Sequence, residues 1–391
     1  MTFVRQHLID PISCVRCDSC RFACPAQAIS KIDGALVIDF YSCDGSESCV
    51  AVCDTGAILA SRIVAAESVY TMAEQAAWAE LPKQIEADGM DEAEVAASAA
   101  PVGARAPASA LEPQVNKFRD SAPALARVVS NEFITADSSS WIHHIVLDLK
   151  GSGMIAAEGQ SIGVLSPGVD ANGVAHAARL YSVASPSGGE GGHEGHVAFT
   201  VKRVLEDASG NYHPGIASNF LCSRRPGESV YLTGPYGNSF LYPEDRAARL
   251  LMICTGTGIA PMRSMLERRR VERNLGAKAL TLLYGGRTLG DLPYHRELSE
   301  SALKGEIHLA VALSRESDAP KKYVQDLVRD YSALVLDHLN DPNSVVYMCG
   351  LVDMEHGVLA AFTDICAAAG QDWPTIQNKM HEEGRFHAES Y

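Results

Sequence analysis

The run Cys14-x2-Cys17-x2-Cys20-x3-Cys24, closed by Pro25, restricts the first part of this chain more than any other feature. Three thiolates in one short loop wrap an Fe4S4 cube, and the fourth, ahead of a proline, is carried away to a second cube. A structural zinc site also uses thiolates. Zinc knuckles, however, pair two short Cys-x-x-Cys steps rather than run three thiols in one loop before Cys-Pro. Slid over itself by 29 residues, the segment repeats: Cys14, Cys17, Cys20, Cys24, Ala28 and Ile29 fall on Cys43, Ser46, Cys49, Cys53, Ala57 and Ile58. Two copies of one small unit therefore build an N-terminal two-cluster domain over residues 1–62. By the crossed rule Cys14, Cys17, Cys20 and Cys53 hold one cluster, while Cys43, Cys49 and Cys24 hold the other. The second repeat departs at Ser46, where the fourth thiolate should stand, and at Asp54, where the first has its proline. An oxygen from Ser46 or nearby Asp44 completes the second cube, or its corner iron is absent and the cluster is Fe3S4. A vestigial second site would leave Cys24, Cys43 and Cys49 as reactive thiols without a purpose.

Seven of the eleven cysteines lie in this crowded segment, and the chain carries 48 acidic against 33 basic residues, a net charge of −15. That balance argues against nucleic acid or an anionic membrane surface as the main partner. The chain shows no apolar run of about 18 residues, and its first ten residues lack the basic segment and apolar core of a secretion signal. The expectation is a cytoplasmic protein, in which cysteines serve metals rather than disulfides. With 391 residues, length allows two to four domains. Residues 65–80 read as helix, with Val69, Met72, Ala76 and Ala77 at helical spacing. Residues 96–113 are mostly Ala, Ser, Pro and Gly, too poor in large apolar groups to offset the entropy of ordering. Residues 63–114 are thus a helix and an Ala/Pro-rich linker.

Beyond the linker come apolar, β-branched runs at 126–135, 141–149, 161–165, 180–184, 196–205 and 229–233, separated by Gly, Pro, Asn or Ser clusters. This rhythm belongs to an antiparallel barrel or sandwich. From residue 249 it changes to strand, helix, strand: 250–255, 262–273, 279–284, 307–313, 323–339, 345–349 and 358–369. Alternation of that kind implies a parallel sheet wound on both faces. At the end of a barrel strand stands Arg179-Leu180-Tyr181-Ser182. Its chemistry suits a flavin: a guanidinium for pyrophosphate, a phenol to stack on the isoalloxazine and a hydroxyl for its reactive nitrogen. Residues 215–221, Gly-Ile-Ala-Ser-Asn-Phe-Leu, offer amides at the start of a short helix as a phosphate cradle. Gly256-Thr257-Gly258, with Pro261 beyond, follows a strand and opens a helix, so amides and helix dipole face an anionic pyrophosphate. Ser314 and Arg315, with Lys321 and Tyr323, supply cations and hydroxyls where an NAD enzyme would place an acid for its ribose, so a 2′-phosphate fits better. Cys349 ends a strand at the crevice where doubly wound sheets bind ligands. Cys254 and Cys366 read as inert core thiols. No His-x-x-x-His ligand step and no Ser-His-Asp arrangement is legible.

Arg179 to Ser182, Val201-Lys202-Arg203, Ser218-Asn219-Phe220-Leu221-Cys222, Gly234-Pro235, Gly256 to Pro261, Val346 to Leu351 and Tyr391 occur in an order that resembles plant-type ferredoxin–NADP reductases, over about residues 115–391. The resemblance implies an FAD-binding β-barrel at 115–245 and an NADP-binding Rossmann-like domain at 246–391, behind a ferredoxin-like two-cluster domain. It implies FAD contacts from Arg179, Leu180, Tyr181, Ser182, Val201, Lys202, Ser218 and Asn219. It implies NADPH contacts from Gly256, Thr257, Gly258, Pro261, Ser314, Arg315, Lys321 and Tyr323. It puts Cys349 beside the nicotinamide, makes Glu389 a link between flavin and solvent protons, and lays Tyr391 over the flavin. Ser182, Cys349, Glu389 and Tyr391 thereby become the expected catalytic set. Where that family carries an aromatic soon after Val-Lys-Arg to stack on the adenine, this chain has Glu206.

The expected architecture is multidomain, α+β and α/β. A nicotinamide releases two electrons as hydride, a cube passes one at a time, and a flavin does both. The domain order therefore spells a path from NADPH through FAD and two [4Fe-4S] sites, the second open to [3Fe-4S] or oxygen ligation, to a protein acceptor. From end to end the order resembles the reductase components of benzoyl-CoA epoxidase systems in aerobic benzoate degradation, which feed a separate di-iron oxygenase. Two other readings stay open: a fused ferredoxin–NADP reductase of general metabolism, and a non-catalytic flavin and iron–sulfur redox sensor.

Overall fold

The computed structural model describes residues 3–14, 20–21, 24, 26, 28–32, 34–43, 49, 53, 57–59, 61–65, 68–83, 105–136, 140–169, 173, 175–176, 178–206, 211–317 and 320–390. Cys17, Asp44, Ser46 and Tyr391 lie outside the described residues. The chain divides into two compact units, Met1–Arg105 with Tyr236–Ser239, and Ala106–Pro235 with Phe240–Tyr391. No helix among the described residues is long and apolar enough to cross a membrane.

In the first unit β1 (Phe3–His7) runs antiparallel to β4 (Ser61–Ala65), and β2 (Ile29–Ile32) pairs with β3 (Ala35–Ile38) as a hairpin. The repeat legible in the sequence is bonded as a repeat. Asp10 N donates to Ala57 O and Asp39 N to Ala28 O, both at 2.8 Å, so each half grips the end of the other. Asp10 accepts from Ile12 N and Ser13 Oγ as Asp39 does from Tyr41 N and Ser42 Oγ. These turns then present Cys14 and Cys43, whose amides bond back to Asp10 O and Asp39 O.

Residues 65–80 differ from the expected long helix. Ala65 still belongs to β4, opposite Phe3, and the helix is only α1 (Met72–Ala76), opened by a Thr71/Glu74 capping box. Its buried Gln75 accepts from Ile38 N (3.0 Å) and donates to Ile38 O (2.7 Å), while Gln6 and Tyr70 exchange bonds of 2.7 and 2.8 Å. The strand and helix beyond residue 62 therefore brace the cluster unit rather than start the linker.

The second unit begins with six antiparallel strands in the order β8-β7-β10-β5-β6-β9: β5 (Ala124–Phe133), β6 (Ile142–Asp148), β7 (Ser161–Leu165), β8 (Arg179–Ser182), β9 (His196–Lys202) and β10 (Ser229–Tyr236). The two edges meet through a Val183–Phe199 bridge and the bond from Ala184 N to Ala198 O, so the sheet closes as a barrel and hides both edges. Its inward residues, Ile145, Leu147, Ile162, Val164, Phe199 and Val201 among them, form one core with Leu221 from α2 (Ile216–Cys222).

Five parallel strands follow in the order β13-β12-β11-β14-β15: β11 (Arg249–Thr255), β12 (Leu280–Gly286), β13 (His308–Leu313), β14 (Ser344–Gly350) and β15 (Phe386–Ser390). Along β11 the side chains alternate between two cores: Leu251 and Ile253 face α5 (Val324–Asp330), α7 (Val352–Ala368) and α8 (Trp373–Glu382). Leu250, Met252 and Cys254 face α3 (Ile259–Val271) and α4 (His295–Leu303). The helix expected at 323–339 is two, α5 and α6 (Ser332–Asn340), because Tyr331 leaves the helical region at φ −102, ψ 29 and sets its ring edge-on against His308. α4, α8 and β15 were not anticipated.

Candidate functional site

β8 carries Arg179, Leu180, Tyr181 and Ser182, and its pairing with β7 sets Ser182 opposite Ser161, with the hydroxyls 3.4 Å apart. Tyr181 tilts against Phe199 at 5.9 Å, and burial pushes its phenol up. Val201 is fully buried in the barrel core. Lys202 ends β9; burial, then Arg287, pull its ammonium down, with Asp291 opposing. In α2, Ser218 Oγ accepts from Val204 N (3.2 Å), and Asn219 donates to Val204 O (2.6 Å) and Gly215 O (2.7 Å) while accepting from Arg203 Nε (2.7 Å). Both side chains thus tie the strand exit to the helix, and no side chain caps that helix at Gly215. Glu206 pairs with Tyr212 across an antiparallel bridge, which sets the two side chains on one face. Tyr212 is 79% exposed. Nothing in the spacing had singled it out; register alone puts this aromatic beside Glu206.

The single turn Gly256–Gly258 leads into α3, with Pro261 in its first turn, and packs against β9. A Cβ at Gly258 would lie 2.1 Å from Cys349 O, so only glycine lets the turn close on β14. Gly256 has φ +54 with nothing within 4 Å of an added Cβ, and the neighbouring Thr255 Oγ1 is buried without a partner among the described residues. An open backbone position beside an unpaired buried hydroxyl fits a phosphate-bearing ligand. Cys349 is buried; burial, then Glu389 and Cys254, drive its thiol well up. Those neighbours follow from register, since Cys349 lies opposite Cys254 on β11 and Glu389 on β15.

The two sides meet. Ala184, two residues past Ser182, packs with Ala198 and Val146 against Ala260 of the Gly256–Pro261 segment. The segment that follows Ser182 and the helix that the Gly256–Gly258 turn opens therefore pack on each other. Ser314 N bonds Gly286 O (3.0 Å) and Arg315 N bonds Arg287 O (2.7 Å), which fixes both at the carboxyl end of β13, the same end of the sheet as Gly256. Arg315, Lys321 and Tyr323 are exposed, with Lys321 Nζ 5.0 Å above the Tyr323 ring.

In the first unit Cys14, Cys20, Cys24, Cys43, Cys49 and Cys53 all pack on one apolar core with Ile9, Ile29, Ile38 and Ile58. Thiolates bordering one apolar core have the donor chemistry of iron–sulfur ligands, although among the described residues no three metal-binding side chains are grouped as around a single ion.

A family model described as an oxidoreductase NAD-binding domain matches residues 252–359, and one described as a 4Fe-4S dicluster domain matches residues 6–54. The ferredoxin–NADP reductase of the Cyanophora paradoxa cyanelle is 37% identical over 287 residues, 71% of this chain and 79% of the relative. That of Spirulina sp is 33% identical over 291 residues, 71% of this chain and 98% of the relative. A solved ferredoxin-NADP+ reductase from Plasmodium falciparum matches with TM-score 0.57 and 22% identity over 71% of this chain and 100% of its own, which shows the shared fold. The chain therefore belongs to the ferredoxin–NADP reductase family, as an oxidoreductase of that type with a 4Fe-4S dicluster domain ahead of it.

Proposed function

We propose that this protein takes hydride from NADPH, passes the electrons singly through two clusters, and delivers them to a di-iron oxygenase component in the cytoplasm, benzoyl-CoA epoxidase of aerobic benzoate degradation. The observation that supports the reading is the packing of Ala184, two residues past Ser182, on Ala260 of the helix that the Gly256–Gly258 turn opens. Bound FAD supplies the exchange between two-electron and one-electron chemistry.

The protein's part is to hold and orient. Arg179 meets the pyrophosphate, Tyr181 stacks, and the Ser182 hydroxyl stands at the reacting edge. Val201, Lys202, Ser218 and Asn219 hold the rest of the flavin nucleotide. Tyr212, rising beside Glu206, gives the adenine an aromatic face from the opposite strand. Gly256, Thr257, Gly258 and Pro261 receive the second nucleotide, and Ser314, Arg315, Lys321 and Tyr323 read its 2′-phosphate; a solved Plasmodium falciparum relative by fold is described with 2'P-AMP. Cys349 borders the nicotinamide, Glu389 moves protons to solvent, and Tyr391 covers the flavin until the nicotinamide arrives. Cys14, Cys17, Cys20 and Cys53 hold one cluster. Cys24, Cys43 and Cys49 hold the other with an oxygen from Ser46 or Asp44, a crossing consistent with the reciprocal Asp10–Ala57 and Asp39–Ala28 bonds. The labour divides at 1–62, braced by the strand and helix up to 83, then 115–245 and 246–391, with the linker between.

Adding limiting NADPH without oxygen should bleach the flavin first and then raise paramagnetic signals from the clusters. Flavin that bleaches with no cluster signal would overturn the path, and no bleaching would overturn the activity. Co-purification of an oxygenase component that accepts the electrons would support the proposed acceptor; reduction of ferredoxin alone would favour general metabolism.

A further inference from the structure

We propose that Arg263, Glu190, His144, Tyr294 and Thr200 form a latch that sets the distance between the Ser182 strand and the Gly256–Gly258 turn, and are positioning residues for hydride transfer. The proposal rests on the flavin and nicotinamide reading given above.

The cluster joins the two halves of the second unit. His144 (β6), Thr200 (β9) and Glu190, in the loop after β8, belong to the barrel. Arg263 is on α3, and Tyr294 immediately precedes α4. Arg263 Nη1 donates to Ala184 O at 2.8 Å and to Glu190 Oε2 at 2.9 Å, and Nη2 donates to Glu190 Oε1 at 2.8 Å. Its guanidinium also lies 4.8 Å above the Tyr294 ring. The Tyr294 hydroxyl sits between His144 Nδ1 (2.8 Å) and Thr200 Oγ1 (2.7 Å). Those two side chains share a face because His144 and Thr200 are directly opposed in the β6–β9 ladder. The ring of contacts closes where His144 Nε2 stands 3.5 Å from Glu190 Oε1.

A bidentate carboxylate–guanidinium pair, buried to 8% exposure at Arg263, has one good geometry, and desolvation cancels much of its attraction. What it supplies is uniqueness of position more than net stability. Tyr294 adds a second sign of constraint: its backbone sits at φ +59, which a bulky side chain adopts only when its surroundings over-determine it. The anchor points matter most. The guanidinium grips the carbonyl of Ala184, two residues beyond Ser182, from the helix that the Gly256–Gly258 turn opens, so a single side chain spans the flavin strand and the nucleotide helix. Hydride transfer needs the reacting atoms at about 3–3.5 Å, and a displacement of about 1 Å is worth about a hundredfold in rate.

The test uses the full-length holoprotein and the variants Tyr294→Phe, Arg263→Lys and Glu190→Gln. Flavin reduction by NADPH is followed in single turnover, NADP+ affinity and FAD content are measured, and hydrogen exchange is read over residues 183–200 and 259–271. The latch predicts about tenfold slower reduction in Tyr294→Phe and about a hundredfold in Arg263→Lys. FAD content and NADP+ affinity should stay within about twofold, with faster exchange in both segments and no further loss when Glu190→Gln is added to Arg263→Lys. Wild-type rates and exchange in Tyr294→Phe, which removes only a hydroxyl and decides the matter even if Arg263→Lys does not fold, would overturn it. A wild-type protein whose flavin NADPH fails to reduce would count against the proposed activity; the exchange measurement would still decide on the latch.

Discussion

In the proposed reading an exposed guanidinium, that of Arg315, separates two nicotinamide cofactors that differ by one phosphate. Arg315 is anchored through its backbone to Arg287 O, so its side chain can be removed without disturbing β13. Arg315→Ala should weaken NADPH by about 1.5–3 kcal/mol, the worth of a hydrogen bond to a charged group, and leave NADH nearly unchanged. Dissociation constants for both nucleotides check it, and equal losses would mean that Arg315 does not read the phosphate. A second residue carries a pH signature. Burial alone would raise the Glu190 carboxyl, but hydrogen bonds from His144 and Arg263 hold it down to about 2. A depressed carboxyl contributes stability that is full above its unfolded value of 4.5 and lost as pH falls toward 2. Whatever stability the carboxylate adds over Glu190→Gln should thus be present at neutral pH and close through that window in denaturant titrations. Arg315 was legible because it follows a strand in a recognisable alternation. Glu190 and Arg263 were not, because their partnership spans 73 residues and His144 meets Tyr294 across 150, distances over which no local pattern speaks.

The same contrast holds among elements. The duplicated cysteine unit could be read because its ligand spacing is imposed by the cluster, and β11 with its glycine turn because a buried parallel strand is a continuous apolar run. β15 escaped: His387 and Glu389 give it no strand-like composition, and only the fully buried β14 beside it recruits it as an edge. The brace formed by α1 escaped as well, since its grip on β3 comes from one polar side chain rather than an apolar face. That makes it testable. Gln75→Ala strips partners from both the amide and the carbonyl of Ile38, and unpaired buried groups cost about 1–3 kcal/mol. Cluster absorbance should bleach at a lower temperature than in the wild type while flavin release is unchanged. A cluster transition that does not move would show that residues beyond 62 contribute nothing to holding the cluster unit.

At the scale of the whole molecule, the proposed path makes the order of parts matter, because each would convert what the previous one delivers, and its weakest link is the second cluster. In the proposed ligation Cys14, Cys17, Cys20 and Cys53 make a full thiolate cage, whereas Cys24, Cys43 and Cys49 need an oxygen from Ser46 or Asp44. Ligand identity and net charge set cluster potential, so the two sites should be inequivalent, with the second losing iron more readily on oxidation. Ser46→Cys should restore a symmetric pair. Iron analysis and electron paramagnetic resonance on protein prepared without oxygen decide between the cases: about eight irons per chain for two cubes, or about seven for a cube and an Fe3S4 cluster. The hydride half of the path does not depend on this outcome, because the residues proposed for NADPH and the flavin nucleotide all lie in the second unit. NADPH-driven reduction of ferricyanide should therefore proceed equally in wild type and Ser46→Cys, while electron delivery to the protein acceptor changes with the potential of the last relay. About four irons, with no second signal before or after the substitution, would leave one cluster and shorten the path by one step.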